Sequence, residues 1–403
     1  MFRRQATLLE SPVLSMRMGV RPSRVGATAI VMLGWLPVID ATTADAPLIR
    51  DTPPASEQAH QGEAPRAQVR TTAPADAVAH HNLAVALQAK GDQAAAIESY
   101  REALRLFPDF AEAHYGLGLV FHSQGDLDAA IVEFEATLAL QPDHAMAHGD
   151  LGLALEAKGD LDDAIREYRL AISLNPDLWT VHNNLGIALK AKGDLAGAIA
   201  AYQEAIRLQP NNPVPHNNLG IALQEKGDLD GAITAYRTAF RLQSGPQAVR
   251  YGLNLGNALL AKSDVDTAIP VYHAVLRLDP DNGEAYLQLA NALRTKGDLE
   301  GAIAAYREAL RLQPDNAIAH INFGVALQNS GDLDGAIAAY RRAVQLQADL
   351  ATAHYNLALS CLTAGKHAEA AQAFREFLRL TPETPENRDR IAQARRKLEE
   401  LSR

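Results

Sequence analysis

Apolar residues along this chain fall three and four positions apart, and the whole pattern starts again every 34 residues. In the stretch 179–212, WTVHNNLGIALKAKGDLAGAIAAYQEAIRLQPNN, the residues Val181, Leu185, Ala188 and Leu189 mark one face of a first helix. Gly193 ends that helix, because glycine enters the left-handed conformation at no steric cost. Asp194 can accept from the free backbone N–H groups that open a second helix. Leu195, Ala198, Ile199, Tyr202, Ala205, Ile206 and Leu208 form the second apolar face, and Pro210 closes the unit. Gly186, Ala198 and Ala205 lack bulk, so the two helices can lie close together. Strong helix formers fill the remaining positions.

The unit is copied. Gly-Asp recurs at 91, 125, 159, 193, 227, 297 and 331, with Ser263-Asp264 and Gly365-Lys366 in the two remaining slots. Proline returns in register at 108, 142, 176, 210, 280, 314 and 382. Nine units therefore occupy residues 77–384, with a two-residue insertion between units five and six in the stretch RLQSGPQAVR. A fixed period of this length predicts an all-α solenoid of antiparallel helix pairs, not a string of globular domains. Pro270 falls past the first turn of a second helix, where it removes a hydrogen bond and favours a kink. Units five and six are thus expected to form the weakest joint. Beyond the array, Ile391, Ala394, Leu398 and Leu401 make one apolar stripe while Arg388, Arg390, Arg395, Arg396 and Lys397 occupy other faces. Residues 385–403 are expected to be a capping helix.

Leu-Gly in the first helix, Gly-Asp at the turn, Ala-Ile-x-x-Tyr-x-x-Ala in the second helix and the closing proline resemble the tetratricopeptide repeat. That resemblance implies a right-handed superhelix whose first helices line a concave groove for peptide segments, and hence a protein or peptide partner. Some positions depart from the family pattern. The fourth position, often tryptophan in the family, is His80, His114, His148, His182, His216, His320 or His354, with Gly252 and Tyr286 in units six and seven. Ala84, Ala290 and Ala358 replace the eighth-position glycine, and proline is missing at Ser244 and Ala348. The sixth position holds Asn82, Asn184, Asn218, Asn254, Gln288, Asn322 and Asn356, with Gly116 and Asp150 in the other two units. An amide both donates and accepts, so it can pair with any extended backbone. The series is similar to that of the repeat arrays of O-linked N-acetylglucosamine transferases, where an asparagine ladder holds the peptide backbone. The resemblance implies the same role for these seven residues, with helix-to-helix bonding inside the array as the alternative.

Other chemistry finds little support. The histidines lie one unit apart, about 10 Å by helix packing, too far to share a metal that needs ligands at about 2 Å. They are expected to pack between helices with one ring nitrogen bonded. A carboxylate clamp for acidic chain ends needs lysine at the fifth position, which instead holds His81, Tyr115, Gly149, Asn183, Asn217, Leu253, Leu287, Ile321 and Tyr355. Lys90, Lys158, Lys192, Lys226, Lys262 and Lys296 precede the turns, where they complement the negative helix end. Cys361 occupies a core position and is expected to be inert. No phosphate loop, nucleophile elbow or metal-binding helix motif occurs. The expectation is a noncatalytic scaffold with no cofactor, no metal, no catalytic residue and no small-molecule substrate. A regulatory or substrate-presenting subunit of a separate glycosyltransferase is the alternative.

Composition adds bounds. Of 403 residues, 47% are apolar and 21% charged, and a single cysteine excludes an intrachain disulfide. Net charge is −10, although Arg3, Arg4, Arg17, Arg21 and Arg24 outnumber Glu10 and Asp40 in residues 1–44. So acidic a body argues against nonspecific nucleic-acid binding. Residues 25–39, VGATAIVMLGWLPVI, form a short apolar run after these arginines and before the small residues Ala41 to Ala44. Residues 1–44 read as a signal peptide cut after Ala44, or as an uncleaved N-terminal anchor. The proline-broken stretch 45–76 reads as a disordered linker. The protein is accordingly expected to be periplasmic or exported, with an inner-membrane anchor through 25–39 as the alternative.

Overall fold

The computed structural model describes residues 73–402. The signal-peptide or anchor segment and residues 45–72 of the linker lie outside the described residues. Units one to three contribute α1 (Ala75–Ala89), α2 (Gln93–Leu106), α3 (Ala111–Gln124), α4 (Leu127–Leu140), α5 (Ala145–Lys158) and α6 (Leu161–Leu174). Units four to six add α7 (Trp179–Ala191), α8 (Leu195–Leu208), α9 (Pro213–Lys226), α10 (Leu229–Leu242), α11 (Ala248–Ala261) and α12 (Val265–Leu278). Units seven to nine supply α13 (Gly283–Lys296), α14 (Leu299–Leu312), α15 (Ala317–Ser330), α16 (Leu333–Leu346), α17 (Ala351–Thr363) and α18 (His367–Leu380), and α19 (Arg388–Leu401) follows. The described residues are otherwise turns and connections; they form an all-α right-handed superhelix of helix pairs.

The turn inside each unit follows from two residues. Gly193 has φ of 83°, and the Asp194 carboxylate accepts from the Gly197 backbone N–H at 2.9 Å. In unit six the glycine slot holds Ser263, which takes the same left-handed conformation at φ 66°, a strained choice for a residue with a side chain. Each helix pair closes over one aromatic ring of the second helix: Tyr100, Phe134, Tyr168, Tyr202, Tyr236, Tyr272, Tyr306, Tyr340 and Phe374 are all at most 2% exposed. Where the eighth position is glycine, the ring packs directly on it. A Cβ on Gly220 would come within 2.6 Å of the Tyr236 ring. Unit one has Ala84 there, and its Tyr100 ring instead lies over Gly116 of the next unit.

Between units each second helix packs mainly against the first helix of the next unit, and successive first helices also touch, so the odd-numbered helices form one layer, the inner one. That inner contact thins between α9 and α11, at the two-residue insertion. The joint also lacks a side-chain cap at the start of α11, and Gly245 turns the chain with φ of 79°. Yet one core runs across it, taking Ile233 and Tyr236 on α10 together with Leu255 and Leu259 on α11. At Pro270, where the sequence favours a kink, α12 continues without interruption, and both Pro270 and Asp266, whose carbonyl loses its helical partner, are exposed. At the far end, Ile391 and Ala394 of α19 join the core of unit nine, with Leu398 and Leu401 beside them.

Candidate peptide groove

The sixth-position residues do not share one environment. Asn82 is exposed, Asn184 and Asn218 are buried, and Asn254, Gln288, Asn322 and Asn356 are half-buried. In the middle of the array they join a chain of amides running along the inner layer. Asn254 donates Nδ2 to Asn217 Oδ1 at 2.8 Å, and Asn218 donates Nδ2 to Asn183 Oδ1 at 3.0 Å. Longer contacts of 3.5 Å link Asn217 to Asn218 and Asn183 to Asn184. A second group lies past the joint: Asn322 donates to Asn291 Oδ1 at 3.3 Å, and Asn291 donates to Gln288 Oε1 at 3.3 Å. Asn82 and Asn356 enter neither group. The links depend on Asn183, Asn217 and Asn291, which a reading centred on the sixth position passes over. The Asn-Asn doublets in HNNLGIAL of units four and five were the signal for the first two.

Carboxylates and apolar side chains share this inner layer. Asp150 accepts from the Tyr115 hydroxyl at 2.6 Å, and Glu156 accepts from the Tyr168 hydroxyl at 2.8 Å. Most ring hydroxyls of the repeated tyrosine donate in this way to a first-helix acceptor: Gln88, Glu156, Gln224, Asn257, Asn291 or Gln328. Unit four is different. Its twelfth position holds Lys190, a donor, whose Nζ turns to Glu225 Oε1 at 2.5 Å. The Tyr202 hydroxyl is buried with no hydrogen-bond partner among the described residues, and so is Thr180 Oγ1 in the same unit. Burial pushes the Tyr202 phenol far above its ordinary range, with Glu156 and Glu225 adding to the effect.

The histidines act as clamps on the connection between units. Nε2 of His114, His148, His182, His216, His320 and His354 meets the carbonyl oxygen six residues earlier, at 2.9–3.1 Å. The carbonyl need not belong to proline, since His354 uses Ala348. In units two and three the other ring nitrogen is also engaged: His114 Nδ1 lies 2.6 Å from Glu133 and His148 Nδ1 lies 2.6 Å from Glu167. Each ring nitrogen faces an acceptor, an arrangement that favours the doubly protonated ring. Both pKa values are raised, by the hydrogen bond to Glu133 or Glu167 first, against the opposing effect of burial. A raised folded-state pKa gives stability that is complete below the unfolded value of about 6.5 and is lost as pH rises through the folded value. The melting temperature of a Glu133→Gln/Glu167→Gln variant should therefore fall below wild type under mildly acidic conditions. The gap should close as pH rises past the raised pKa values, which melting curves across that range would check.

Lysines before the turns do more than complement a helix end. Lys158 pairs with Asp128 at 2.6 Å, Lys296 with Asp266 at 2.7 Å and Lys366 with Asp334 at 2.7 Å, and Lys192 meets Asp162 and Lys262 meets Asp230 in the same way. Each pair ties a unit to the one before it. The spacing of 30 to 32 residues between partners was readable in the sequence. Unit four has Ala196 where its aspartate would stand, and Lys226 of unit five has no such partner to meet. Among the described residues no group of three or more histidine, cysteine or carboxylate side chains could hold a metal, and no helix is long and apolar enough to cross a membrane. Cys361 is buried, and burial first, then Glu369, pushes its thiol up to about 11.

Comparison with known proteins agrees with this architecture. Tetratricopeptide repeat profiles match residues 217–283, 253–317 and 321–385, a TPR repeat profile matches 86–125, 157–193 and 188–227, and a further tetratricopeptide repeat profile matches 111–144. Together they span well over half of the chain. No curated protein matches it. Similar solved structures include a MamA protein at 25% identity, covering 41% of this chain and 91% of that one with a TM-score of 0.39. YrrB, described as a TPR protein with an unusual peptide-binding site, is 22% identical and covers 49% of this chain and 97% of its own, with a TM-score of 0.42. PilF of Pseudomonas aeruginosa is 22% identical over 52% of this chain and 95% of its own, with a TM-score of 0.44.

Proposed function

Because the chain belongs to the tetratricopeptide repeat family, we propose that it is a noncatalytic scaffold holding an extended segment of another protein in its concave groove. The observation that carries this reading is the inner layer itself. First helices of successive units present a row of half-buried amides (Asn254, Gln288, Asn322 and Asn356), which can serve a peptide backbone whatever its side chains. Peptide binding in family members, YrrB among them by its description, supports the same reading. Export to the periplasm, with residues 1–44 removed or retained as an anchor, belongs to this proposal and lies outside the described residues.

The test uses Asn322 and Asn356, which the middle amide chain does not include. Peptides selected from a random library on the full chain would be measured against an Asn322→Ala/Asn356→Ala variant. Two neutral hydrogen bonds at about 0.5–1.5 kcal/mol each predict an affinity loss of roughly tenfold, with the melting temperature nearly unchanged. Unchanged affinity with a lowered melting temperature would assign the amides to the array alone. Failure of the full chain to select any peptide would remove the groove-binding reading.

A further inference from the structure

A second concavity lies between units four and five, where the second helices α8 and α10 flank α9. It is an open cleft of about 530 Å³, lined by Gln203 and Ile206 of α8, His216 and Leu219 of α9, and Thr234, Ala235 and Thr238 of α10, with Asp230 and Gly231 at the start of that helix. The same chain shows what such a cleft can hold. In units two and three the place of Ala235 belongs to Glu133 and Glu167, whose carboxylates lie 2.6 Å from Nδ1 of His114 and His148. In unit five the histidine is fixed in the same way, with His216 Nε2 at 2.9 Å from the Pro210 carbonyl oxygen, but its Nδ1 meets no partner among the described residues. Ala235 is buried and carries no group that could reach it. Units four, eight and nine also have alanine here, at Ala201, Ala339 and Ala373, yet charged side chains border the equivalent space. Glu204, Arg342 and Glu376 stand where unit five has Thr238, and Arg169, Arg307 and Arg341 stand where it has Gln203. The acid in the lining, Asp230, is turned to Lys262 of the next unit.

We propose that this cleft docks a glutamate side chain of a partner protein, whose carboxylate takes the place beside His216 Nδ1 that Glu133 and Glu167 hold in units two and three. With Nε2–H directed at a carbonyl, the neutral ring offers only a lone pair at Nδ1, so the carboxylate enters together with a proton on the ring. The resulting bond is charge-assisted on both sides. The apolar stem of the glutamate lies against Ile206, Leu219 and Ala235. The rim favours a peptide over a free acid. Thr234 and Thr238 give their hydroxyl protons to the carbonyls of Asp230 and Thr234, at 2.9 and 3.0 Å, which leaves their oxygens to accept. The exposed Gln203 amide both donates and accepts. These are the groups that the backbone N–H and C=O beside a docked glutamate would meet. The cleft shares no residue with the row of half-buried amides, so its test and that of the peptide groove are independent.

The full chain, with its histidines labelled for NMR, would be titrated with N-acetylglutamate methylamide. The His216 ring signals, assigned from a His216→Gln variant, should move to saturation toward the protonated form. Those of His114 and His148, which already face glutamates, should stay in place. Binding should weaken about tenfold for each pH unit above the titration range of the ring, because one proton enters with each carboxylate. N-acetylglutamine methylamide should leave the ring unmoved. Ala235→Glu repeats the residue of units two and three, and Ala235→Val repeats Val271 of unit six; both should abolish the response. A wild-type response in either variant, an equal response to the glutamine compound, or no saturable shift of His216 would each overturn the proposal. Propionate bound as tightly as the capped glutamate would overturn it too, since the peptide-facing rim would then contribute nothing.

Discussion

Replacing Tyr236 by alanine is expected to cost the centre of the array about 3–5 kcal/mol, the range for deleting a buried aromatic side chain. The ring is 2% exposed and lies so close to Gly220 that no methyl group fits between them. Its hydroxyl donates to Gln224 at 3.2 Å, and its neighbours belong to the core that crosses the joint between units five and six. The helices cannot collapse into the void, because adjoining units hold them on both sides. In a solenoid such a loss need not unfold the whole chain, since stability is a sum over units and their interfaces. Amide hydrogen exchange should accelerate in α9 to α11 while α15 to α18 keep wild-type protection. Uniform acceleration along the array would show that the chain unfolds as one body. Tyr236→Phe separates the hydroxyl from the ring and should cost only about 0.5–1.5 kcal/mol.

Asn217→Ala is expected to cost about 1–3 kcal/mol although alanine is the better helix former. Asn217 is fully buried, and its Oδ1 receives Asn254 Nδ2 from across the joint at 2.8 Å. Without it that donor loses its partner, and the long contact to Asn218 is lost too. Asn82→Ala is the control. Asn82 is exposed, so its replacement should move the urea midpoint little in either direction. A midpoint for Asn217→Ala equal to that of Asn82→Ala would mean that the amide chain contributes nothing to folding. Asn184→Ala/Asn218→Ala should behave as a stability variant as much as a binding variant, because Asn218 is already bonded to Asn183.

Much of the fold was legible because each unit states it again. Gly193 and Asp194 announce a turn through backbone freedom and capping, both local properties, and Tyr202 with Gly186 announces a close helix pair. The histidine clamp was half legible. Packing with one bonded nitrogen follows from the position, but the Glu167 contact of His148 spans 19 residues and needs the helix pair in three dimensions. The groove was the least legible part. Sixth-position asparagines look alike in sequence, yet Asn82, in the first unit, lies open, Asn218 is sealed in and Asn254 is half-buried, because burial depends on the neighbouring units rather than on the residue itself.

The lysine–aspartate pairs between units have a genetic consequence. A fastener whose two halves sit at the same places across five of the eight junctions makes the modules it joins interchangeable. Unequal recombination between near-identical coding stretches could then insert or delete one module, and the new seam would close with the same parts. Groove length is in this sense a heritable variable, adjustable in steps of one module without redesigning any surface. The seams after modules one, four and seven are the exceptions, because Gln124, Ala196 and Ser330 stand where one half of the fastener would be.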